Sequence, residues 1–290
     1  MRARASRQLD RRWIFLVMIL AIVIPLYVPL DLPIKPSPMT KAAFNEVEAL
    51  REGDVVVVSM DLEPASTPEL EPYYRALMLQ LKRKNVRMIF VTAWYSAPPL
   101  VERWLRETVD VPIAPAGTAG YTGLPDRAYV RNVDYVYLGF REGQISAMLN
   151  MAVDLRRVFD GRTDDGVPID RVPWMANIRS IADAKLVISV SAIAPGAKEW
   201  LQFVQARYNL RMVAATTAVS VTDLAPYYQS GNLLGLVPGL SGAAEYEILV
   251  GKRGIGVAGA DVLNVGHGVV VLAIVLGNII FFLDRRRRRA

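Results

Sequence analysis

Residues 54–60 read DVVVVSM, a continuous β-branched run that is typical of a strand buried on both faces of a sheet. Thr67 and Pro68 follow, and this pair suits the N-cap and the first position of a helix. Apolar residues then recur at helical spacing over 68–84. The stretch therefore predicts a buried strand, a turn and an amphipathic helix.

The same alternation continues along the chain. Further strands are predicted at 86–92, 135–140, 185–191 and 211–216, and further helices at 97–108, 144–159 and 197–208. Strands separated by helices favour right-handed crossovers and a parallel sheet covered on both faces. We therefore predict an α/β domain over 54–224, a Rossmann-like or flavodoxin-like three-layer sandwich with a mostly parallel sheet of about five strands.

Three stretches of this region lack the alternation. Residues 109–132 are interrupted by glycines and are predicted to form a loop or flap, whereas 160–173 form an acidic turn cluster. The Gly-rich juxtamembrane segment 225–261 is apolar and contains tyrosines. We expect short helices there, packed against the base of the domain or lying in the headgroup zone of a membrane.

Two uncharged apolar runs, 13–30 and 262–283, are predicted to form N- and C-terminal transmembrane helices. A helix rises about 1.5 Å per residue and a hydrocarbon core is about 30 Å thick, so both runs can cross it. The alternative for the first run is a cleaved signal peptide. Large residues and prolines follow it, which favours an uncleaved anchor.

Arginine clusters flank both runs and account for the net charge of +6. Positively charged flanks stay in the cytoplasm, so the tails 1–12 and 284–290 are expected to be cytoplasmic and the domain extracytoplasmic. The chain would then be a two-pass protein of the cell membrane. The arginine tails suit membrane lipid rather than nucleic acid. Residues 31–53 are predicted to form a Pro-rich spacer and a lead-in helix.

The residue inventory excludes several kinds of chemistry. The chain has no cysteine and a single histidine, His267, which lies in the second apolar run. Histidine-based triads, imidazole bases and thiolate metal sites are therefore excluded from the α/β domain. Catalysis would have to use carboxylate, Lys, Tyr or Ser/Thr chemistry, so a non-catalytic protein is favoured over an enzyme. We predict no cofactor and no metal site.

Three acidic or glycine-rich motifs are interpreted as structural. Residues 254–259 match the dinucleotide fingerprint GxGxxG, but a membrane-grade apolar run follows them instead of a crossover helix. The aspartates of 160–170 suggest calcium, yet their spacing fails the EF-hand pattern and a solvated turn is favoured. For the acidic-aromatic group 245–247, packing and capping are favoured over a partner contact.

A ligand crevice is expected where parallel strands end, since ligands of open α/β sheets bind beyond the carboxyl ends of the strands. Asp61 and Glu63 would suit a cation or a general base there, although capping of the helix at Pro68 is the favoured interpretation. The candidate crevice residues are Asp61, Glu63, Thr92, Tyr95, Ser189, Ser191 and Thr216.

The second apolar run carries a candidate packing face. At about 100° per residue, Asn264, His267, Ile274 and Asn278 fall on one stripe, and polar side chains at membrane depth normally face protein. Ala273 and Gly277 form a pair of small residues on a neighbouring face that permits close helix packing. These faces predict assembly with other membrane or envelope protein subunits, including the alternative of a homo-oligomer.

Two functions are consistent with these patterns. The first is a membrane-anchored extracytoplasmic α/β domain that acts as a non-catalytic scaffold or accessory subunit of a membrane or envelope complex. The alternative is a small-ligand-binding domain or a hydrolase-type enzyme that uses the crevice at the strand ends. Converging crevice side chains around a deep pocket would favour the alternative.

Overall fold

The structure is a computed structural model that describes residues 11–27, 30 and 32–289. It divides into two compact units, one comprising Ile34–Gly256 and the other the residues up to Pro33 together with those from Val257 onward. The basic tail at 1–10, residues 28, 29 and 31 around the end of the predicted first span, and residue 290 lie outside the described residues.

Strands and helices alternate through the domain, as the sequence predicts. Two helices precede the sheet, α1 (Arg11–Tyr27) and α2 (Pro38–Glu48). The chain then runs through β1 (Val55–Asp61), α3 (Thr67–Arg83), β2 (Arg87–Thr92), α4 (Pro98–Thr108), β3 (Tyr135–Phe140), α5 (Ile145–Met151), α6 (Leu155–Val158), β4 (Leu186–Ser191), α7 (Ala197–Glu199), a π-helical stretch (Trp200–Gln205), α8 (Ala206–Tyr208), β5 (Met212–Thr216), α9 (Val221–Gln229), β6 (Gly235–Pro238), α10 (Gly239–Val250) and α11 (Ile255–Arg289).

The sheet has six strands, all parallel, in the order β3-β2-β1-β4-β5-β6. This order confirms a Rossmann-like α/β architecture. Strands β1 and β4 are neighbours in the sheet although four helices, α3 to α6, and two strands, β2 and β3, lie between them in sequence. Their last residues, Asp61 and Ser191, are in register. From β1 the chain continues through β2 and β3 toward one edge of the sheet, and from β4 it continues through β5 and β6 toward the other edge.

Helices cover both faces of the sheet, which explains why its strands are almost continuously apolar. Even-numbered residues of β1, such as Val56 and Val58, share a core with α2, α3, α4 and α10. Val57 points to the opposite core, which is filled from α5, α6, α9 and Trp200 of the π-helical stretch. Alternate residues of one strand therefore belong to different layers, and the expected three layers are present.

The sixth strand lies in the Gly-rich segment, where only short helices are expected from the sequence. Strand β6 is GLVP, too short to give an apolar run that stands out from its surroundings. A Cβ placed on Gly235 would lie 2.3 Å from the Cα of Ala43, so the glycine allows α2 to pack directly on this strand. The compact unit consequently continues through α10 to Gly256.

The predicted continuous helix at 144–159 is interrupted. Helix α5 ends at Met151 and α6 begins at Leu155, after Asp154 accepts a hydrogen bond from the backbone N–H of Arg157 at 3.1 Å. An aspartate at an N-cap starts a new helix by satisfying a free amide, and this local signal overrides the helical spacing of the apolar residues around it.

The second unit contains α1 and most of α11. Among the described residues, one helical segment, Ile255–Leu283, is long and apolar enough to cross a membrane, whereas the apolar part of α1, Arg12–Pro25, is shorter. Helix α11 is 35 residues long and starts earlier than the predicted 262. Its apolar length supports association with a membrane.

Candidate functional site

The carboxyl ends of β1 and β4 mark the position where the strand order reverses. In doubly wound folds the crevice for ligands opens at this point, because the two crossover connections leave in opposite directions. The side chains at the ends of these two strands are therefore the candidates for a ligand site.

Asp61, the last residue of β1, is fully buried and surrounded by donors. Its carboxylate accepts hydrogen bonds from the backbone N–H of Ala93 at 2.8 Å, the hydroxyl of Ser59 at 2.8 Å and the hydroxyl of Thr92 at 3.3 Å. Burial raises the pKa of Asp61 to about 6, while these three donors and the Trp200 indole limit the rise. Asp61 thus joins the ends of β1 and β2.

A chain of hydrogen bonds continues from Asp61 into the helical layer. The indole N–H of Trp200 donates to Ser59 Oγ at 3.0 Å, and Ser59 in turn donates to Asp61. Ser189 pairs with Ser59 in the β1–β4 register, yet its buried hydroxyl has no hydrogen-bond partner among the described residues. Ser59 and Trp200 were not among the predicted site residues; the spacing of Ser59 two residues before Asp61 on one strand is the signal that places both on one face.

A small cavity of about 220 Å³ lies beyond β4 and β5. Ser191 and Thr216, the last residues of these strands, are among the residues that line it, with Lys198 and Asp223. The Ser191 hydroxyl accepts the backbone N–H of Ala197 at 3.0 Å and so begins the helical stretch after β4. Lys198 Nζ lies 3.5 Å from the Asp223 carboxylate.

The seven predicted crevice residues have different surroundings in the structure. Asp61 and Thr92 contact each other, and Ser191 and Thr216 line the small cavity. Ser189 lies within the sheet. Tyr95 is 70% exposed and packs its ring against Trp94, with ring centroids 4.8 Å apart, whereas the backbone of Glu63 closes a turn with Ser66.

A larger cavity of about 420 Å³ lies on the other side of the domain, between α3, the end of α4 and the residues after α10. Its charged side chains are engaged with one another or with the backbone. Arg75 contacts Glu71 at 2.7 Å and Glu107 at 2.5 Å, and the ammonium of Lys252 donates to the carbonyl of Ile113. Burial lowers the pKa of Lys252.

The GxGxxG motif beside this cavity is bound by a side chain of the protein itself. The buried Glu247 carboxylate accepts the backbone N–H groups of Gly254 at 2.9 Å and Gly256 at 3.0 Å. Helix α10, rather than a strand, precedes the motif. These two amides hold a carboxylate in the way that a helix N-terminus holds an anion, which agrees with the structural interpretation of the motif.

The rest of the acidic-aromatic group 245–247 also has structural partners. Glu245 accepts hydrogen bonds from the backbone N–H of Ser37 at 3.0 Å and from its hydroxyl at 2.7 Å. The Tyr246 hydroxyl donates to the side-chain oxygen of Gln80 at 2.5 Å. The prediction of packing and capping for this group is therefore confirmed.

The glycine-rich loop 109–132 is anchored rather than loose at its centre. Asp126 accepts the backbone N–H groups of Ile113 at 2.9 Å and Ala114 at 2.6 Å, and it lies 2.5 Å from the buried ammonium of Lys82. Lys82 also donates to the carbonyl of Thr108 at 2.6 Å. A buried ion pair with these backbone contacts fixes the loop to α3.

The aspartates of the acidic turn are each engaged by nearby polar side chains. Asp160 pairs with Arg141, Asp170 with Arg156 at 3.0 Å, and Asp165 accepts the amide of Asn132 at 2.7 Å. Among the described residues, no three His, Cys, Asp or Glu side chains are grouped so that they could hold a metal ion. The observed partners of Asp160, Asp165 and Asp170 are side chains of the same domain.

The predicted packing stripe of the second apolar run lies on an exposed face of α11. Asn264, His267, Ile274 and Asn278 are all exposed, and the side-chain amide of Asn278 donates to the carbonyl of Ile274 at 3.0 Å. Ala273 is half-buried and Gly277 is exposed, with nothing near the position of a Cβ on Gly277.

Comparison of the chain with models of protein families, with curated proteins and with solved structures finds no match in any of the three. The function is therefore inferred from the architecture and the side chains described above.

Proposed function

We propose that this chain is a two-pass membrane protein whose α/β domain lies outside the cytoplasm and serves as a non-catalytic scaffold or accessory subunit of a membrane or envelope protein complex. The observation that carries the proposal is the burial and hydrogen bonding of the side chains at the strand ends. Asp61, Thr92 and Ser191 are buried and bonded to the domain's own groups at the position where a doubly wound fold would hold a substrate.

The membrane part of the proposal is supported by length and charge. The segment Ile255–Leu283 is 29 residues long and apolar, and its side chains are largely exposed, as expected for contact with lipid. Arginines occupy 285–289, after Asp284, and five more lie within 2–12, before the first apolar run. Both arginine clusters would remain in the cytoplasm, leaving the domain on the other side.

The scaffold part is supported by how the domain uses its reactive side chains. Glu247 binds the amides of Gly254 and Gly256, and Asp126 binds Lys82 and the loop backbone. Carboxylates held by backbone amides or by an ammonium of the same protein keep a fold rigid rather than exchange protons with a substrate. A rigid domain held at a membrane suits the binding of other subunits.

The cavity beyond β4 and β5 supports a second candidate, a site for a small polar ligand. Its lining offers Lys198, Asp223, Ser220 and Thr216 around about 220 Å³. Such a volume falls below the range of about 300–1,000 Å³ that is typical of drug-sized ligand pockets. A small polar metabolite would suit it better than a nucleotide.

Affinity purification of the full chain from its native membranes in mild detergent tests the primary proposal. A partner recovered in constant ratio to the chain is the expected result. Protease added to intact cells or right-side-out vesicles should degrade the domain, since it is proposed to face outward. Protection of 34–256, or recovery of the chain in the soluble fraction, would contradict the proposed topology.

A further inference from the structure

The cavity of about 220 Å³ beyond β4 and β5 lies at the edge of the sheet where α/β folds bind their ligands. We name it the β4–β5 cavity. Ser191 and Thr216, which are paired in the sheet, are 3% and 2% exposed and therefore form its inner end. The side chains of Lys198 and Asp223 are 43% and 60% exposed and form its rim.

The two hydroxyls at the inner end differ in their hydrogen bonding. Ser191 accepts the backbone N–H of Ala197 at 3.0 Å. The hydroxyl of Thr216 has no hydrogen-bond partner among the described residues, although Thr216 is almost fully buried and lines the cavity. Because buried polar groups are normally hydrogen-bonded, this hydroxyl needs a polar partner inside the β4–β5 cavity.

The rim of the cavity offers one positive and one negative charge. Lys198 Nζ lies 3.5 Å from the carboxylate of Asp223. A partly exposed pair of this kind contributes little to stability, so either group can exchange its partner for a ligand at small cost. A ligand with a single charge would satisfy one of the two groups and leave the other without a partner. A ligand that carries both an ammonium and a carboxylate satisfies both.

An anion such as phosphate is disfavoured, because the backbone amides that could bind it already have partners in the protein. The N–H of Gly196 donates to the Glu199 carboxylate at 2.7 Å, and the N–H of Ala197 donates to Ser191. Glu199 also lines the cavity, so that two carboxylates, of Glu199 and Asp223, stand against the one ammonium of Lys198. This balance favours a ligand that carries a positive charge of its own.

We propose that the β4–β5 cavity binds a free α-amino acid with a small polar side chain. Lys198 binds the carboxylate of the ligand, Asp223 binds its ammonium group, and the hydroxyl of Thr216 bonds to the polar end of its side chain. The volume lies below the range of about 300–1,000 Å³ for drug-sized ligands, which restricts the ligand to a few carbon atoms. The proposal rests on the second candidate function, for which it names the ligand class, and is independent of the scaffold and the membrane topology.

Four compounds that differ by one group each test the ligand class. L-Serine carries all three groups; ethanolamine lacks its carboxylate, 3-hydroxypropionate lacks its ammonium and L-alanine lacks its hydroxyl. Each is titrated calorimetrically into the full chain in detergent. We expect L-serine to bind at least several-fold more tightly than the other three.

The outcomes separate the ligand class from the candidate function on which it rests. Binding of ethanolamine or 3-hydroxypropionate as tight as that of L-serine overturns the amino-acid class, while a small polar ligand remains. Equal binding of L-serine and L-alanine overturns the contact with Thr216. If none of the four compounds binds, both the amino-acid proposal and the second candidate function are overturned.

Substitutions locate the ligand within the cavity. Thr216→Val should lower the affinity for L-serine several-fold, to that for L-alanine, and leave the affinity for L-alanine unchanged. The free energy of unfolding should not fall, since the hydroxyl has no partner in the protein. Lys198→Gln and Asp223→Asn should each weaken the binding of both amino acids several-fold, because each removes one charged contact.

Lys84→Gln is the matched control, since Lys84 pairs with Glu48 at 3.2 Å and lies before β2, at the opposite edge of the sheet. Its affinity for L-serine should equal that of the parent chain. Unchanged L-serine affinity in Thr216→Val or in Lys198→Gln would place the amino acid outside the β4–β5 cavity and overturn the proposal.

Discussion

The carboxylate of Asp61 accepts the backbone N–H of Ala93 at 2.8 Å, so that the last residue of β1 is bonded to the residue that follows β2. The bond links the carboxyl ends of β1 and β2. Asp61 is thus a buried acid at the position where ligands usually bind in a doubly wound fold, and its carboxylate is hydrogen-bonded to groups of the protein itself.

Substitution by alanine should lower the free energy of unfolding at Ser59 of β1 but not at its neighbour Ser189 of β4. Ser59→Ala removes the hydroxyl that accepts from the Trp200 indole N–H and donates to Asp61, so we expect a loss of about 1–3 kcal/mol in the free energy of unfolding. Ser189→Ala removes a buried hydroxyl that lacks a partner among the described residues, and should be neutral or stabilising. Urea unfolding of the full chain in detergent measures both.

These serines are a matched pair, since both are fully buried and adjacent in the sheet. Equal losses for the two variants would show that the hydrogen-bond chain through Ser59 contributes nothing beyond packing.

The pKa of Asp61 should make stability depend on pH in a defined window. Burial raises this pKa from 3.8 to about 6, so the folded protein binds a proton that the unfolded chain has already lost between these values. The contribution is fully present below pH 3.8 and is lost as the pH rises to about 6. The difference corresponds to on the order of 3 kcal/mol.

Asp61→Asn removes this titration while keeping the shape of the side chain. We expect the fall in unfolding free energy between about pH 4 and pH 6 to be smaller in the variant than in the parent. Other carboxylates contribute equally to both proteins and cancel in the comparison. Identical pH profiles for parent and variant would contradict a raised pKa for Asp61.

The buried pair of Lys82 and Asp126 should matter far more than an exposed pair of the same type. Asp126→Asn leaves an uncompensated ammonium in the interior, and the expected loss is about 3–5 kcal/mol. The donors at Ile113 and Ala114 also lose a charged acceptor, so their amide hydrogen exchange should accelerate. Unfolding and exchange measured on one sample provide both values.

Glu107→Gln is the control, because Glu107 pairs with Arg75 at the surface with both side chains partly exposed. Its effect should remain within about 1 kcal/mol. Comparable losses for Asp126→Asn and Glu107→Gln would show that burial of the Lys82 pair adds no energetic weight.

Much of the fold could be predicted from the sequence because its strands are buried on both faces. Such strands give continuous apolar runs, as in 54–60, and the helices between them carry one apolar face each. The strand β6 escaped prediction because its four residues owe their place to tertiary contact with α2 at Gly235, and periodicity over four residues carries no signal.

The candidate site was less predictable, for a physical reason. The sequence indicates which residues stand at strand ends, and Asp61, Thr92, Ser191 and Thr216 are indeed there. It does not indicate whether their polar atoms face a crevice or a neighbouring backbone amide. That choice depends on long-range packing, as in the contact between Ser59 and Trp200, which are 141 positions apart.

The contact of Glu247 with the GxGxxG motif leads to a prediction about both stability and nucleotides. Since this carboxylate already binds the amides of Gly254 and Gly256, titration of the full chain with ATP or NAD should give no detectable binding at micromolar concentrations. Glu247→Gln should accelerate amide hydrogen exchange at Gly254 and Gly256, because a neutral acceptor binds an amide less strongly than a charged one.

Glu245→Gln is the matched control on the same helix, since Glu245 binds Ser37 whereas Glu247 binds the two glycines. Exchange at Gly254 and Gly256 should therefore be unchanged in that variant. Micromolar nucleotide affinity in the parent chain, abolished by Gly256→Ala, would mean that the carboxylate yields its amides to a phosphate, and the motif would then be a binding site after all.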